Sequence, residues 1–130
     1  MATLIRRGRI ANASRPEAGE VLRLEPGDDP AGVADRLGTA ARVEVNFPSF
    51  TDGRGYSIAR LLRERHGYQG ELRAVGDVQR DQLFYLARCG FDAFLLRDGQ
   101  EAEESLRALR DFSEAYQASV ERPEPLFRRR

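Results

Sequence analysis

Apolar and polar positions along the chain switch repeatedly between a two-residue and a three-to-four-residue period. Val21 to Leu24 reads as a short strand, and Pro30 to Leu37 as a short helix entered through Asp28-Asp29. Arg42 to Phe47 predicts a second strand, and Tyr56 to His66 a helix with Ile58, Leu61 and Leu62 on one face. Glu71 to Val75, Val78 to Cys89 and Asp92 to Leu96 continue as strand, helix and strand. Glu101 to Val120 predicts the last helix, with Ala102, Leu106, Leu109, Ser113 and Tyr116 spaced for one buried stripe. Strands alternating with helices at this spacing predict an α/β fold built on a parallel sheet.

Arg36-Leu37-Gly38, Arg65-His66-Gly67 and Arg88-Cys89-Gly90 end three of the helices alike. Each is a cation near the negative end of the dipole followed by a glycine suited to a left-handed closing residue. The flanks differ in texture. Residues 1–20 read as an extension, with an edge strand from Leu4 and Ile5 and a polar linker over Ala11 to Glu20. Residues 21–120 form the βα-repeat domain. Residues 121–130 hold two prolines and end in Arg128-Arg129-Arg130, a solvated tail.

Composition narrows the chemistry. The 130 residues carry 21 basic and 21 acidic side chains, and every basic one is arginine. Zero net charge argues against a nucleic-acid binder. The absence of lysine excludes a Schiff-base lysine and a P-loop lysine. With one His and one Cys, a Cys/His-rich metal centre and a disulfide framework are excluded too. No apolar run spans a bilayer and no signal-peptide core follows Met1, so the expectation is a cytoplasmic protein without membrane contact.

In parallel α/β architectures ligands bind beyond the carboxyl ends of the strands. There the richest segment is Pro48 to Gly55, where Thr51, Asp52, Gly53, Arg54 and Gly55 lead into a helix. Free N–H groups and Arg54 suit an oxyanion; the plainer alternative is a Thr51 or Asp52 cap with glycines making the turn. Alternation in Val43 to Phe47 puts Glu44 and Asn46 on one strand face, and Arg73 alternates likewise with Leu72 and Ala74. Charged residues inside strands point to a polar sheet face, with a Glu44–Arg73 ion pair and Asn46 nearer the mouth. Arg97 and Asp77, at strand ends, complete the candidate ligand set, with Asp77 as the candidate acid or base. His66 and Cys89 precede helix-ending glycines, at the end of a βα unit away from the ligand loops, so both read as structural. Phe84 interrupts the charged stripe Asp77, Arg80, Asp81 and Arg88, and is either a partner contact or a partly buried ring.

The run Phe47-Pro48-Ser49-Phe50-Thr51-Asp52-Gly53-Arg54-Gly55-Tyr56-Ser57, with Ala59-Arg60-Leu61-Leu62-Arg63, resembles the bacterial domain-of-unknown-function family numbered nine-three-four. Gly70 to Val78, Arg80-Asp81-Gln82 and Arg88 to Phe94 extend the likeness, which covers about residues 42–117. The resemblance implies a place beside assimilatory sulfite reductase, whose neighbours in this family carry an oxidoreductase label, and supplies no catalytic residue. No flavin or nicotinamide motif stands in the sequence, which leaves any cofactor unspecified, and a single cysteine forms no internal redox disulfide. The expectation is four βα units in a half-TIM-barrel-like arrangement, with an open flavodoxin-like sheet as the alternative. The expected function is an accessory or small-oxyanion-binding protein of sulfite reduction, with a small oxidoreductase as the alternative. Sulfite reductase and, through exposed sheet edges, a second copy are the expected partners.

Overall fold

The computed structural model describes residues 3–11, 19–49, 51–96, 104–107 and 109. They form a mixed α/β fold around one six-stranded sheet of order β2-β1-β6-β5-β4-β3. The strands are β1 (Thr3–Arg6), β2 (Arg9–Ala11), β3 (Glu20–Leu24), β4 (Ala40–Phe47), β5 (Leu72–Gly76) and β6 (Ala93–Leu96). From β3 to β6 neighbours are consecutive and parallel. A 3-10 helix, Pro30–Thr39, joins β3 to β4. Helix α1 (Arg54–Arg60) runs on into a π turn, Leu61–Arg65, and joins β4 to β5. A 3-10 turn, Arg80–Gln82, and helix α2 (Leu83–Cys89) join β5 to β6.

Strand period decides which side chains meet the helices. Leu22 and Leu24, Val43, Val45 and Phe47, Leu72 and Ala74, and Phe94 and Leu96 share one face. They make a single core with Val33 and Leu37, Ile58, Ala59 and Leu62, and Leu83 and Leu86 from the crossovers. Leu106 and Leu109 join the same core, and Glu104–Arg107 is helical, so the start of the expected last helix is present. Its remainder and the 121–130 tail lie outside the described residues.

Three local features depart from the sequence reading. The strand expected from Leu4 and Ile5 is present, but inside the sheet and not at its edge: β1 lies antiparallel against β6, with β2 beyond it. Arg7 and Gly8 both take positive φ, 52° and 79°, the two-residue turn whose twist suits a hairpin. Leu4 and Ile5 are both buried, one on each face, so β1 lacks the one-sided alternation that marks a half-exposed strand. The helix entered through Asp29, whose carboxylate accepts from the N–H of Ala31 at 3.0 Å, runs through Gly38 and ends at Ala40 in extended backbone. Gly67 and Gly90 do take the expected left-handed conformation, at φ 66° and 118°.

At the amino-terminal end of the sheet the π turn aims Arg63 inward. Its Nε donates to the Gly90 carbonyl at 2.9 Å, and Nη1 to those of Tyr68 and Gly70, both at 2.8 Å. Burial lowers the pKa of this guanidinium, while nearby Asp92 opposes that shift. One side chain thus supplies donors to three loop carbonyls at the starts of β5 and β6, where helical and ladder bonds have run out.

Candidate functional site

The carboxyl ends of β4 and β5 are joined by close backbone approach. Asp77 donates its N–H to the Phe47 carbonyl at 2.7 Å. Gly76 has φ +92°, and a Cβ there would stand 2.5 Å from Asn46 Oδ1 and collide with the Phe47 carbonyl. Asn46 is thereby held over Gly76, and its Nδ2 donates to Glu25 Oε1 at 2.7 Å. Asp77 accepts from Gln79 Nε2 at 3.2 Å. Asn46, Glu25 and the Gly76-Asp77 turn therefore share the rim of the sheet.

The loop leading into α1 is organised by Ser49 and Asp52. Ser49 Oγ lies 2.9 Å from Thr51 Oγ1 and accepts from the Thr51 N–H at 3.3 Å; the Asp52 N–H donates to the Ser49 carbonyl at 2.9 Å. Asp52 accepts from the backbone N–H of Arg54 at 3.1 Å, and also takes both arms of its side chain, Nε at 3.0 Å and Nη2 at 2.7 Å. The side-chain hydrogen bonds from Arg54 and then the backbone one hold the Asp52 carboxyl at about 2, and the pair raises the guanidinium in turn. The pairing does not bury Arg54, which remains 65% exposed. The glycines divide their work. A Cβ on Gly55 would stand 2.5 Å from the Phe47 ring, so Gly55 lets α1 close on β4, whereas Gly53 is exposed and a Cβ there would meet only Tyr56, at 4.0 Å.

The sheet face away from the core is polar and ion-paired. Arg23 reaches Glu25 at 3.1 Å and Glu44 at 3.8 Å; Arg42 reaches Glu44 at 2.7 Å. Glu44 and Arg73 stand opposite each other in register, and Arg73 takes Glu71 at 2.6 Å. Arg6 on β1 spans the small Ala93 on β6 to reach Glu71 at 3.4 Å. Arg73 is 3% exposed and Glu71 8%.

The expected residues thus fall into separate groups. Asn46 and Asp77 share the rim; Thr51, Asp52 and Gly53 form the adjoining loop, and Arg54 and Gly55 open α1; Arg73 lies deep on the polar face. Arg97 lies outside the described residues. Most of the carboxylates that hold these arginines carry a signal of their own in the sequence. Arg23-Leu24-Glu25, Arg42-Val43-Glu44 and Glu71-Leu72-Arg73 each carry opposite charges two residues apart, the interval that puts two strand side chains on one face.

The helix faces hold a further cluster. Tyr85 on α2 is 64% exposed, its ring 6.0 Å from that of Tyr56, whose hydroxyl accepts from Gln82 at 3.4 Å. Burial raises the Tyr56 phenol pKa, and the hydrogen bond to Cys89 raises that of Arg60. Phe84 is half-buried with the Arg88 guanidinium 5.7 Å from its ring centre. The exposed aromatic on this helix is therefore Tyr85. Cys89 is buried, and among the described residues no group of His, Cys, Asp and Glu suits a metal ion. No helix among those residues is long and apolar enough to cross a membrane.

No curated protein and no solved structure matches the chain. The model of one bacterial family does, over residues 21–127, taking in β3 and its crossover as well as the loop and rim just described. On that match the chain belongs to the family described as "Bacterial protein of unknown function (DUF934)".

Proposed function

We propose that this protein is a small-oxyanion-binding accessory protein of assimilatory sulfate and sulfite reduction, with Arg54 as its principal ligand contact. The observation that carries the proposal is the side-on clamp of Asp52 on Arg54. It occupies Nε and one side of Nη2, and leaves Nη1 of this largely exposed side chain without a partner among the described residues. A guanidinium already fixed in direction loses less freedom on engaging an anion than a mobile one. Asn46 and the Gly76-Asp77 turn supply the neighbouring rim, and Arg73 is read as part of the scaffold because Glu71 and burial hold it.

The finer architecture belongs to the same reading. Four consecutive parallel strands with crossovers packed in one core support a half-TIM-barrel-like reading of the parallel part, in which ligands bind at the carboxyl-terminal rim. Sulfite, sulfate and phosphate, titrated separately while the thermal midpoint is followed, test the proposal. The expected result is a rise with at least one of them, abolished by Arg54→Gln and reduced by Asp52→Asn. No rise with any of them, or a rise that Arg54→Gln leaves intact, overturns it. Co-purification with sulfite reductase tests the association separately.

A further inference from the structure

The two edges of the sheet are not equivalent. β2 offers three residues, Arg9–Ala11, whose only charge is cationic. β3 offers five, Glu20–Leu24, paired on one side with β4 and with no strand on its other side among the described residues. Val21 on this edge is 39% exposed, one of only three large apolar side chains so exposed among the described residues. An open edge is normally guarded by a charge that projects from it. Arg23 does not serve that purpose, because Glu25 and Glu44 draw its guanidinium back over its own sheet, toward β4.

We propose that β3 is a docking edge for a second copy of this chain, joined antiparallel across a two-fold axis through Leu22. Such an axis, perpendicular to the sheet, keeps like faces together and extends the two sheets into one of twelve strands, twice the six of each copy. It places Val21 opposite the second copy's Arg23, and Arg23 opposite its Val21. The exposed valine then packs on the aliphatic stem of an arginine whose charge is already satisfied by Glu25 and Glu44. Leu22 meets its own equivalent, and Glu20, already held by Arg36 at 2.7 Å, lies across from Leu24. All five residues of the strand find an opposite number, and no carboxylate faces a carboxylate. Pairing β3 to the β2 edge of another copy would instead leave a β3 edge to recruit the next copy and propagate into a filament. A closed pair joins like edges, and β3, with five residues and an exposed valine against the three residues of β2, is the longer of the two. The partner is identified by self-complementarity and does not depend on the oxyanion reading.

Sedimentation of the full chain from micromolar to millimolar concentration tests the proposal, with Val21→Lys and Tyr85→Lys as the variants. Both positions are exposed, and circular dichroism checks that each variant folds. The expected result is a reversible dimer whose dissociation constant rises at least about tenfold in Val21→Lys and is unchanged in Tyr85→Lys. A monomer at every concentration overturns the proposal and leaves the edge to an extended segment of another protein. A dimer indifferent to Val21→Lys, or one lost equally with Tyr85→Lys, also overturns it.

Discussion

Replacing Arg63 by Met isolates the contribution of one guanidinium to the fold. The substitution keeps an unbranched apolar stem of similar reach and removes the donors to the carbonyls of Gly90, Tyr68 and Gly70. A hydrogen bond to a charged group contributes about 1.5–3 kcal/mol. Three of them would sum to about 4.5–9 kcal/mol if all three carbonyls stayed dry. They do not all stay dry, because Gly70 is half-exposed and water can replace part of what is lost there. The 3.7 Å contact with Asp92 is too long to add much. The expected net loss is therefore about 3–4 kcal/mol, within the range of large single-site effects. Urea unfolding followed by far-ultraviolet circular dichroism measures it, with the slope checked for constancy so that the midpoint shift reports stability. Arg63→Lys should fall between, since one ammonium keeps the charge but not the fork that reaches carbonyls on two loops. A loss below about 1 kcal/mol for Arg63→Met would refute the idea that this side chain holds the two loops together.

Four further outcomes follow from the same geometry. Gly76→Ala should cost at least about 3 kcal/mol, because left-handed strain of about 1–2 kcal/mol adds to a collision with the Phe47 carbonyl; denaturant titration reads it, and near-wild-type stability would contradict the rim geometry. Glu71→Leu and Arg73→Met should each cost about 3–5 kcal/mol alone, while the double variant costs much less than their sum, a non-additivity that a thermodynamic cycle exposes. Arg7→Asn should stabilise by about 0.5 kcal/mol, since Arg7 sits at φ 52° in a two-residue hairpin turn and its 3.7 Å contact with Asp92 is exposed. The clamp on Arg54 should be independent of pH above about 4 and fail on acidification. The Asp52 pKa is depressed from 3.8 to about 2 on folding, so its contribution is present above the higher value and lost as pH falls through the lower, a window that a carboxyl NMR titration covers.

β4 and β5 were legible because polar side chains interrupt their apolar ones at a two-residue period, whereas β6 stood out only as a short apolar run. Val43, Val45 and Phe47 alternate with Glu44 and Asn46, and the structure keeps that division. The strand at Leu4 and Ile5 was legible too, but its β2 partner was not, because the Arg7-Gly8 turn lacks an Asn or Asp ahead of its glycine. Gly38 misled because a glycine after a cation looks the same whether it closes a helix or lies within its last turn; the 3-10 helix runs through it directly into β4. At the candidate site, residue types were legible and pairings were not. Periodicity put Arg73 and Glu44 on one face, where they stand opposite in register, but gave no sign that Glu71, two residues back along the chain, also holds Arg73.

That pattern changes what an all-arginine basic complement implies. A lysine in place of Arg73 would neutralise Glu71 as a point charge, but could not offer two edges of donors to a network on a crowded sheet face. Arg63 uses the same fork on backbone carbonyls, and Arg54 uses it on Asp52. Arginine here is first a structural connector, and abundance alone therefore says little about anions. What separates Arg54 from Arg73 and Arg23 is exposure combined with a fixed direction: Arg73 is directed but buried, and Arg23 is exposed but spent on two carboxylates. At Arg54 a single carboxylate aligns the guanidinium from one side at the start of α1, and the proposed anion contact rests on that arrangement. The same distinction predicts that Arg73→Gln acts on stability and Arg54→Gln on binding. If Arg54→Gln instead destabilised the fold as Arg73→Gln does, with no change in anion response, Arg54 would be one more connector.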